Sequence, residues 1–171
     1  TAFRGAGRRF EILGEVNGVT IADDYAHHPT EIAATIGAAS QLGFRHVHVL
    51  FQPHRYSRAP LFTEVLKDEF ASAFDAADAV TFMDVYPAGE VPVPGVSGKT
   101  FLNVVLDHPG HPEAAYVPRR IEVVPHLASA LHAGDLLITM GAGDVTAIGP
   151  QLLDALSRAR AAADAQPADA E

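Results

Sequence analysis

The segment "FEILGEVNGVTIADDYAHHPTEIAATIGAASQLG", residues 10–43, changes from the hydrophobic period of a strand to that of a helix at Pro29. Before the proline, Phe10, Ile12, Val16, Val19 and Ile21 lie in two apolar runs separated by Asn17-Gly18. Both turn residues accept the positive φ of a type I′ turn, so the spacing predicts a hairpin with strands at about 9–16 and 19–24. After the proline, Ile32, Ile36, Ala39 and Leu42 recur at helical spacing, Glu31 sits in the first turn and Gly43 follows the end. "DDYAHH" (23–28) is then a loop between a strand and a helix, crowded with titratable groups.

The same alternation continues outward. "HVHVLF" (46–51) reads as a strand and "QPHRYSRAP" (52–60) as a loop. Leu61, Phe62, Val65, Leu66, Phe70, Ala73 and Phe74 trace one amphipathic helix. "AVTFMDVY" (79–86) reads as a strand, "PAGEVPVPGVSG" (87–98) as a Pro/Gly-rich loop, and 99–111 as one further helix. Strand "RIEVV" (120–124), helix "HLASALHAG" (126–134), strand "DLLITM" (135–140), turn "GAGD" (141–144) and a helix over 145–160 complete the pattern. Strands alternating with crossover helices specify an α/β fold: a Rossmann-like three-layer domain with a mostly parallel sheet and an N-terminal β-hairpin. Residues 1–160 form this one domain, and "AAADAQPADAE" (161–171) is expected to be a disordered tail.

The chain has 171 residues, 48% hydrophobic and 19% charged, which suits one globular domain with a real core. Twelve basic residues face twenty-one acidic ones for a net charge of −9, so a nucleic-acid partner is not expected. The chain lacks cysteine, which removes disulfides and thiolate chemistry and suits a reducing compartment, the cytoplasm. It contains neither a long apolar run nor a signal-peptide pattern, so no membrane contact is expected. A start at Thr1 rather than Met suggests a fragment of a longer protein.

Ligands of open parallel sheets collect at the carboxyl ends of the strands. "DDYAHH", "QPHRYSR" and "GAGD" all fall there, which suggests one site. Arg55 and Arg58 make an anion clamp, because guanidinium is permanently charged and forks onto carboxylate or phosphate; the alternative is solvated surface charge. The glycines of "GAGD", Gly141 and Gly143, would let backbone amides approach an anion or carbonyl, with Ala142 between them, while Asp144 could simply cap the following helix.

Two look-alikes are set aside. "GVSGKT" (95–100) has the tail of a phosphate-binding P-loop, but Val93 stands where its first glycine belongs. "GAGDVTAIG" (141–149) imitates a dinucleotide fingerprint, but Thr146 occupies its third glycine position. Nine histidines raise the question of a metal. His27 and His28 are neighbours that point to opposite faces, and they could equally cap and pack a helix start. His46 and His48 share a strand face without a nearby partner, so no metal site is expected.

Taken in order, "RRFEILGEVNGVTIADDYAHHPTEI", "FQPHRYSR", "DVYPAGE", "PGVSGK" and "GDLLITMGAGDV" resemble the C-terminal domain of the Mur ligases over nearly the whole chain. Within that family, "FQPHRYSR" is similar to the branch that adds L-alanine to UDP-N-acetylmuramate. The resemblance implies an ATP-dependent amide ligase of peptidoglycan synthesis, in which a muramate carboxylate is phosphorylated and the alanine amine attacks the acyl phosphate. It further implies that Mg²⁺ and the P-loop belong to a central domain and the UDP-sugar to an N-terminal domain. Those two domains are partners of this one, which would be inactive alone. By the same resemblance, Asp24 hydrogen-bonds the ATP ribose, Tyr25, His27, Arg55 and Arg58 line the L-alanine pocket, and the loop Gly141, Ala142, Gly143 and Asp144 faces the reacting groups. Arg8 and Arg9 match the family's "RRFE", near the hinge. A freestanding module for nucleotides or small anions is the alternative from another class, and a metal-dependent hydrolase a third, resting on the histidine count.

Overall fold

A computed structural model describes residues 8–166. The hairpin comes first: β1 (Glu11–Val16) pairs antiparallel with β2 (Val19–Asp24) across Asn17 and Gly18, both at positive φ (55° and 78°). Helix α1 (Pro29–Ser40) starts at Pro29, with the His28 ring accepting from the Thr30 amide as its cap. It buries Ile32, Ile36 and Ala39, but it ends before Leu42, which is exposed.

The parallel strands are β3 (Val47–Phe51), β4 (Ala79–Phe82), β5 (Glu113–Tyr116) and β6 (Leu136–Met140). The sheet order is β1-β2-β6-β3-β4-β5, with only β1 antiparallel. Both faces are covered, so the inner strands are buried along most of their length rather than alternating between buried and exposed. On one face Val49, Phe51, Phe82, Ile138 and Met140 pack with Ile32 and Ile36 of α1, Phe70 of α2 (Lys67–Ser72) and Phe101 of α3 (Gly98–Leu106). On the other, Ile21, Leu50 and Leu137 meet Val123 and Leu127 of α4 (Arg120–Ala130) and Ile148 and Leu152 of α5 (Ile148–Asp164).

Several sequence expectations change. "RIEVV" is not a strand: Arg120 begins α4, which runs through Pro125 to Ala130. Its β-branched residues satisfy strand propensity, but Val123 and Leu127 are four apart and bury together, so tertiary packing overrides propensity. The strand needed at that edge is "EAAY", β5, which carries little local signal. The stripe from Leu61 to Phe74 is not one α-helix. Residues Leu61–Val65 form a π turn, closed by the Leu66 amide donating to the Leu61 carbonyl, and the extra residue rotates Leu61 and Val65 out to solvent. Strand pairing after Ala79 stops at Phe82, and Tyr86 makes only an isolated bridge with His54. Tyr56–Arg58 is a 3₁₀ turn inside the expected loop. A 3₁₀ turn, Asp144–Ala147, also precedes α5. Helix α5 continues to Asp164, four residues into the expected tail; residues 167–171 lie outside the described residues.

Register places the site. Asp24 is level with Met140, Met140 with Phe51, and Phe51 with Phe82, so four strands end on one line. "DYAHH", "QPHRYSR", "DVY" and "GAGD" therefore leave the sheet side by side. No helix among the described residues is long and apolar enough to cross a membrane.

Candidate functional site at the carboxyl edge of the sheet

The two aspartates that close β2 point to opposite faces, as strand neighbours must. Asp23, 1% exposed, accepts from Arg8 Nε at 2.7 Å and from the Thr139 and Thr146 hydroxyls at 2.7 and 2.9 Å. Arg8 also donates to the Gly141 carbonyl at 2.7 Å and lies over the Tyr25 ring, 5.2 Å from its centre. Asp23 is thus an internal anchor that ties the start of the hairpin to the "GAGD" loop.

Asp24 faces the other way. Its carboxylate accepts from the Phe10 and Ala26 amides at 2.8 and 2.7 Å and from Thr35 Oγ1 at 3.2 Å. A carboxylate has about four lone-pair positions, so one acceptor direction stays open. That direction borders a cavity of about 430 Å³ lined by Arg9, Phe10, Asp24, Tyr25, Thr35 and Ala38, among others. Apolar walls, a fixed carboxylate and an arginine at the rim fit a nucleoside.

The remaining stretches meet through a row of rings. Tyr25 lies edge-on to His27 at 5.3 Å, His27 is 6.4 Å from His54, and His54 stacks on Tyr86 at 5.6 Å and 20°. Tyr86 in turn lies under Gly143, where an added Cβ would come within 2.6 Å of the ring. The row thus joins all three sequence-predicted stretches. Arg55 and Arg58 lie close enough for their charges to act on His54 and make no ion pair among the described residues, although five other arginines are paired. Arg55 is held at φ 71°, a strained conformation, with its amide on the Tyr86 carbonyl, and its side chain is exposed. Glu90 anchors the turn beneath through the Ser57 amide and hydroxyl, and these bonds hold its carboxyl below the usual range.

His54 is a member that sequence reading passed over. Burial lowers its pKa, as do the charges of Arg58 and Arg55 and neighbouring His27, so it is neutral at ordinary pH. Its Nδ1 is buried without a hydrogen-bond partner. A cation-rich corner with a neutral, unpartnered imidazole at its floor suits an anion whose other end carries an amine.

Gln52 was also missed. Buried at the end of β3, it donates from Nε2 to Asp144 at 2.8 Å and accepts the Val145 amide at 3.0 Å through Oε1. Asp144 also pairs with Arg120 at 2.8 Å. Its side chain therefore does not cap the turn that follows, and the capping alternative is set aside. The Gly141 amide donates to the Asp24 carbonyl and that of Val145 to Gln52, which leaves the Ala142 and Gly143 amides without internal partners among the described residues. A residue at 141 needs φ 145° and a Cβ there would sit 2.9 Å from the Gln52 carbonyl, so only glycine fits.

One sequence expectation about histidines fails. His46 and His48 do have a partner: Asp135, which precedes β6, lies 3.2 Å from His46 and 3.3 Å from His48. The contact depends on parallel pairing of strands some ninety residues apart in sequence (|i−j| of 89), so no local pattern announces it.

Fold and edge define a Rossmann-like α/β domain with a cavity of about 430 Å³ beside a corner that carries two arginines unpaired among the described residues. Residues 8–143 match the Mur ligase, glutamate ligase domain family, and the chain belongs to that family. It is 45% identical over 163 residues to a UDP-N-acetylmuramate–L-alanine ligase of Koribacter versatilis, covering 95% of this chain and 34% of the relative. It is 47% identical over 154 residues to the enzyme of the same name from Pelotomaculum thermopropionicum, covering 90% and 32%. The chain thus spans about a third of the length of these relatives. Among solved structures, a murein peptide ligase from Psychrobacter arcticus aligns with a TM-score of 0.69 at 26% identity over 88% of this chain and 30% of that one. A UDP-N-acetylmuramate-alanine ligase from Thermotoga maritima aligns with 0.65 at 24% identity, over 89% and 30%, and supports the fold.

Proposed function

We propose that this chain is the C-terminal domain of an ATP-dependent amide ligase that joins L-alanine to UDP-N-acetylmuramate in peptidoglycan synthesis, and that it works in the cytoplasm. The observation that carries the reading is the ring row Tyr25–His27–His54–Tyr86 with two unpaired arginines among the described residues beside it, adjoining the Asp24 cavity through Tyr25, which borders both. The names of the relatives support the choice of L-alanine and UDP-N-acetylmuramate.

Arg55 and Arg58 take the α-carboxylate of the amino acid as a charge-assisted clamp. Tyr25 and His27 form its wall. Neutral His54 adds no positive charge near the amine, which must attack the acyl phosphate as a free base. Asp24 accepts from the ATP ribose, and the free Ala142 and Gly143 amides face the oxygens on which charge develops. ATP supplies the phosphoryl group that activates the muramate carboxylate. Mg²⁺ does not fit here: Asp23, Asp24 and Asp144 are all engaged by protein donors, and Glu31 stands alone in the cavity. We place the Mg²⁺ ligands and the UDP-sugar contacts in central and N-terminal domains, with this domain supplying half a site and no turnover by itself.

Phosphate release tests the assignment. The full-length enzyme is expected to release phosphate from ATP only when both UDP-N-acetylmuramate and L-alanine are present, and this chain alone to release none. Equal turnover with glycine, L-serine and L-alanine, or turnover by the chain alone, would reject it.

A further inference from the structure

We propose that His46, His48 and Asp135 bind one late first-row divalent cation, Zn²⁺ foremost, at the amino edge of the sheet. This edge is remote from the site above: β3 and β6 start here and end there, roughly 17 Å away at five residues of strand rise.

The donor set is two imidazoles at the start of β3 and one carboxylate from the residue before β6. His46 and His48 are two apart on one strand face, their rings edge-on at 6.3 Å. Asp135, 1% exposed, lies across from them and is fixed by the His132 amide donating to Oδ2 at 2.9 Å. One donor atom from each of the three residues can be chosen so that all lie within 4.8 Å of one another. Ligands of a tetrahedral ion at about 2.0–2.1 Å stand roughly 3.3 Å apart. The carboxylate–imidazole separations, 3.2 Å from His46 Nδ1 to Oδ1 and 3.3 Å from His48 Nε2 to Oδ2, are close to that value, each imidazole facing its own carboxylate oxygen.

Hydrogen bonding alone does not account for the arrangement. His46 Nδ1 is in hydrogen-bond reach of Asp135 Oδ1, whereas His48 Nε2, buried and 3.3 Å from Oδ2, has the carboxylate beside it without a well-directed hydrogen bond. A buried polar atom without a partner costs free energy unless something supplies one. A cation among the three donors does so, and the 46% exposure of His46 leaves it a way in and an open coordination position for water. Imidazole nitrogen selects Zn²⁺ and its late first-row neighbours over Mg²⁺, which prefers an all-oxygen octahedral shell, so this site is chemically separate from any ATP-linked magnesium. Bound metal would pin the starts of the two central strands together and stabilise the chain by mass action.

Calorimetric titration of the complete protein with zinc chloride tests the proposal, wild type against His46→Ala and His48→Ala, with NMR of the histidine ring nitrogens followed alongside. One zinc equivalent per chain should weaken at least about 10-fold in either variant. The His46 and His48 ring signals should move together with zinc and stay still with magnesium chloride. His46 is half-exposed, so its alanine variant keeps the fold and decides the matter if His48→Ala does not. Identical zinc isotherms in wild type and His46→Ala, or zinc shifts confined to other histidines such as His108 beside Asp75, would overturn it.

Discussion

On the proposed function, replacing Arg58 with alanine in the full-length protein should raise the KM for L-alanine about 10- to 150-fold while leaving the KM for ATP nearly unchanged. A hydrogen bond to a charged partner contributes about 1.5–3 kcal/mol, and every 1.4 kcal/mol is tenfold in affinity. Arg58 is half-buried, close enough to His54 to depress its pKa more than Arg55 does, and free of any carboxylate among the described residues. Its charge is therefore available to a ligand and poorly screened. Arg55 is more exposed, and alanine there should cost less. The cavity beside Asp24 includes neither arginine, which is why ATP should be spared. Steady-state kinetics with each substrate varied separately gives the answer. An unchanged alanine KM, or a larger rise for ATP, would remove Arg58 from the pocket.

Gly98→Ala should destabilise the domain by about 3 kcal/mol or more, which lowers the unfolding midpoint by roughly 6–12 °C in a chain of this size. A Cβ at 98 would stand 2.0 Å from the Met83 carbonyl oxygen and 2.9 Å from the Asp84 Cα, both main-chain atoms that cannot rotate aside. The Gly98 amide also donates to Asp84 Oδ1 at 2.8 Å, and Ser97 and Thr100 form a capping box that fixes the start of α3. Glycine in "GVSGKT" thus serves the close approach of helix to strand end, not a phosphate. Thermal unfolding and ATP binding by the folded fraction separate the two roles. A phosphate loop would lose ATP binding with its melting point intact, the reverse of the expected result.

How much could be read from sequence followed from how local each signal was. Asn17-Gly18 and Pro29 act on their own backbone, so the hairpin and α1 were legible to within two residues. β5 was not, because "EAAY" gains its stability only from pairing with β4, and "RIEVV" offered a stronger propensity next to it. The π turn at Leu61–Val65 broke a stripe that looked continuous, since periodicity cannot register one added residue. At the site, Arg55 and Arg58 were recognisable as a pair of cations at a strand end, Tyr25 and His27 only through the family resemblance, and in the structure His27 and both arginines lie around His54. Gln52 and His54 were hidden, since their importance rests on what they touch: Asp144 and Val145 for Gln52, His27 and Tyr86 for His54. The partnership of Asp135 with His46 and His48 belongs to the same class of long-range fact.

The central claim is that one edge carries two adjoining half-sites, an amino-acid corner and a nucleoside cavity. Amide and side-chain NMR shifts of this chain, titrated with L-alanine and separately with ATP, test it most directly. L-Alanine should move His27, His54, Arg55 and Arg58 as one group, and ATP should move Arg9, Phe10, Asp24 and Thr35 as another, with Tyr25, which borders both, responding to either. Alanine shifts centred on the Asp24 cavity, or neither group responding at the highest soluble ligand concentration, would contradict it.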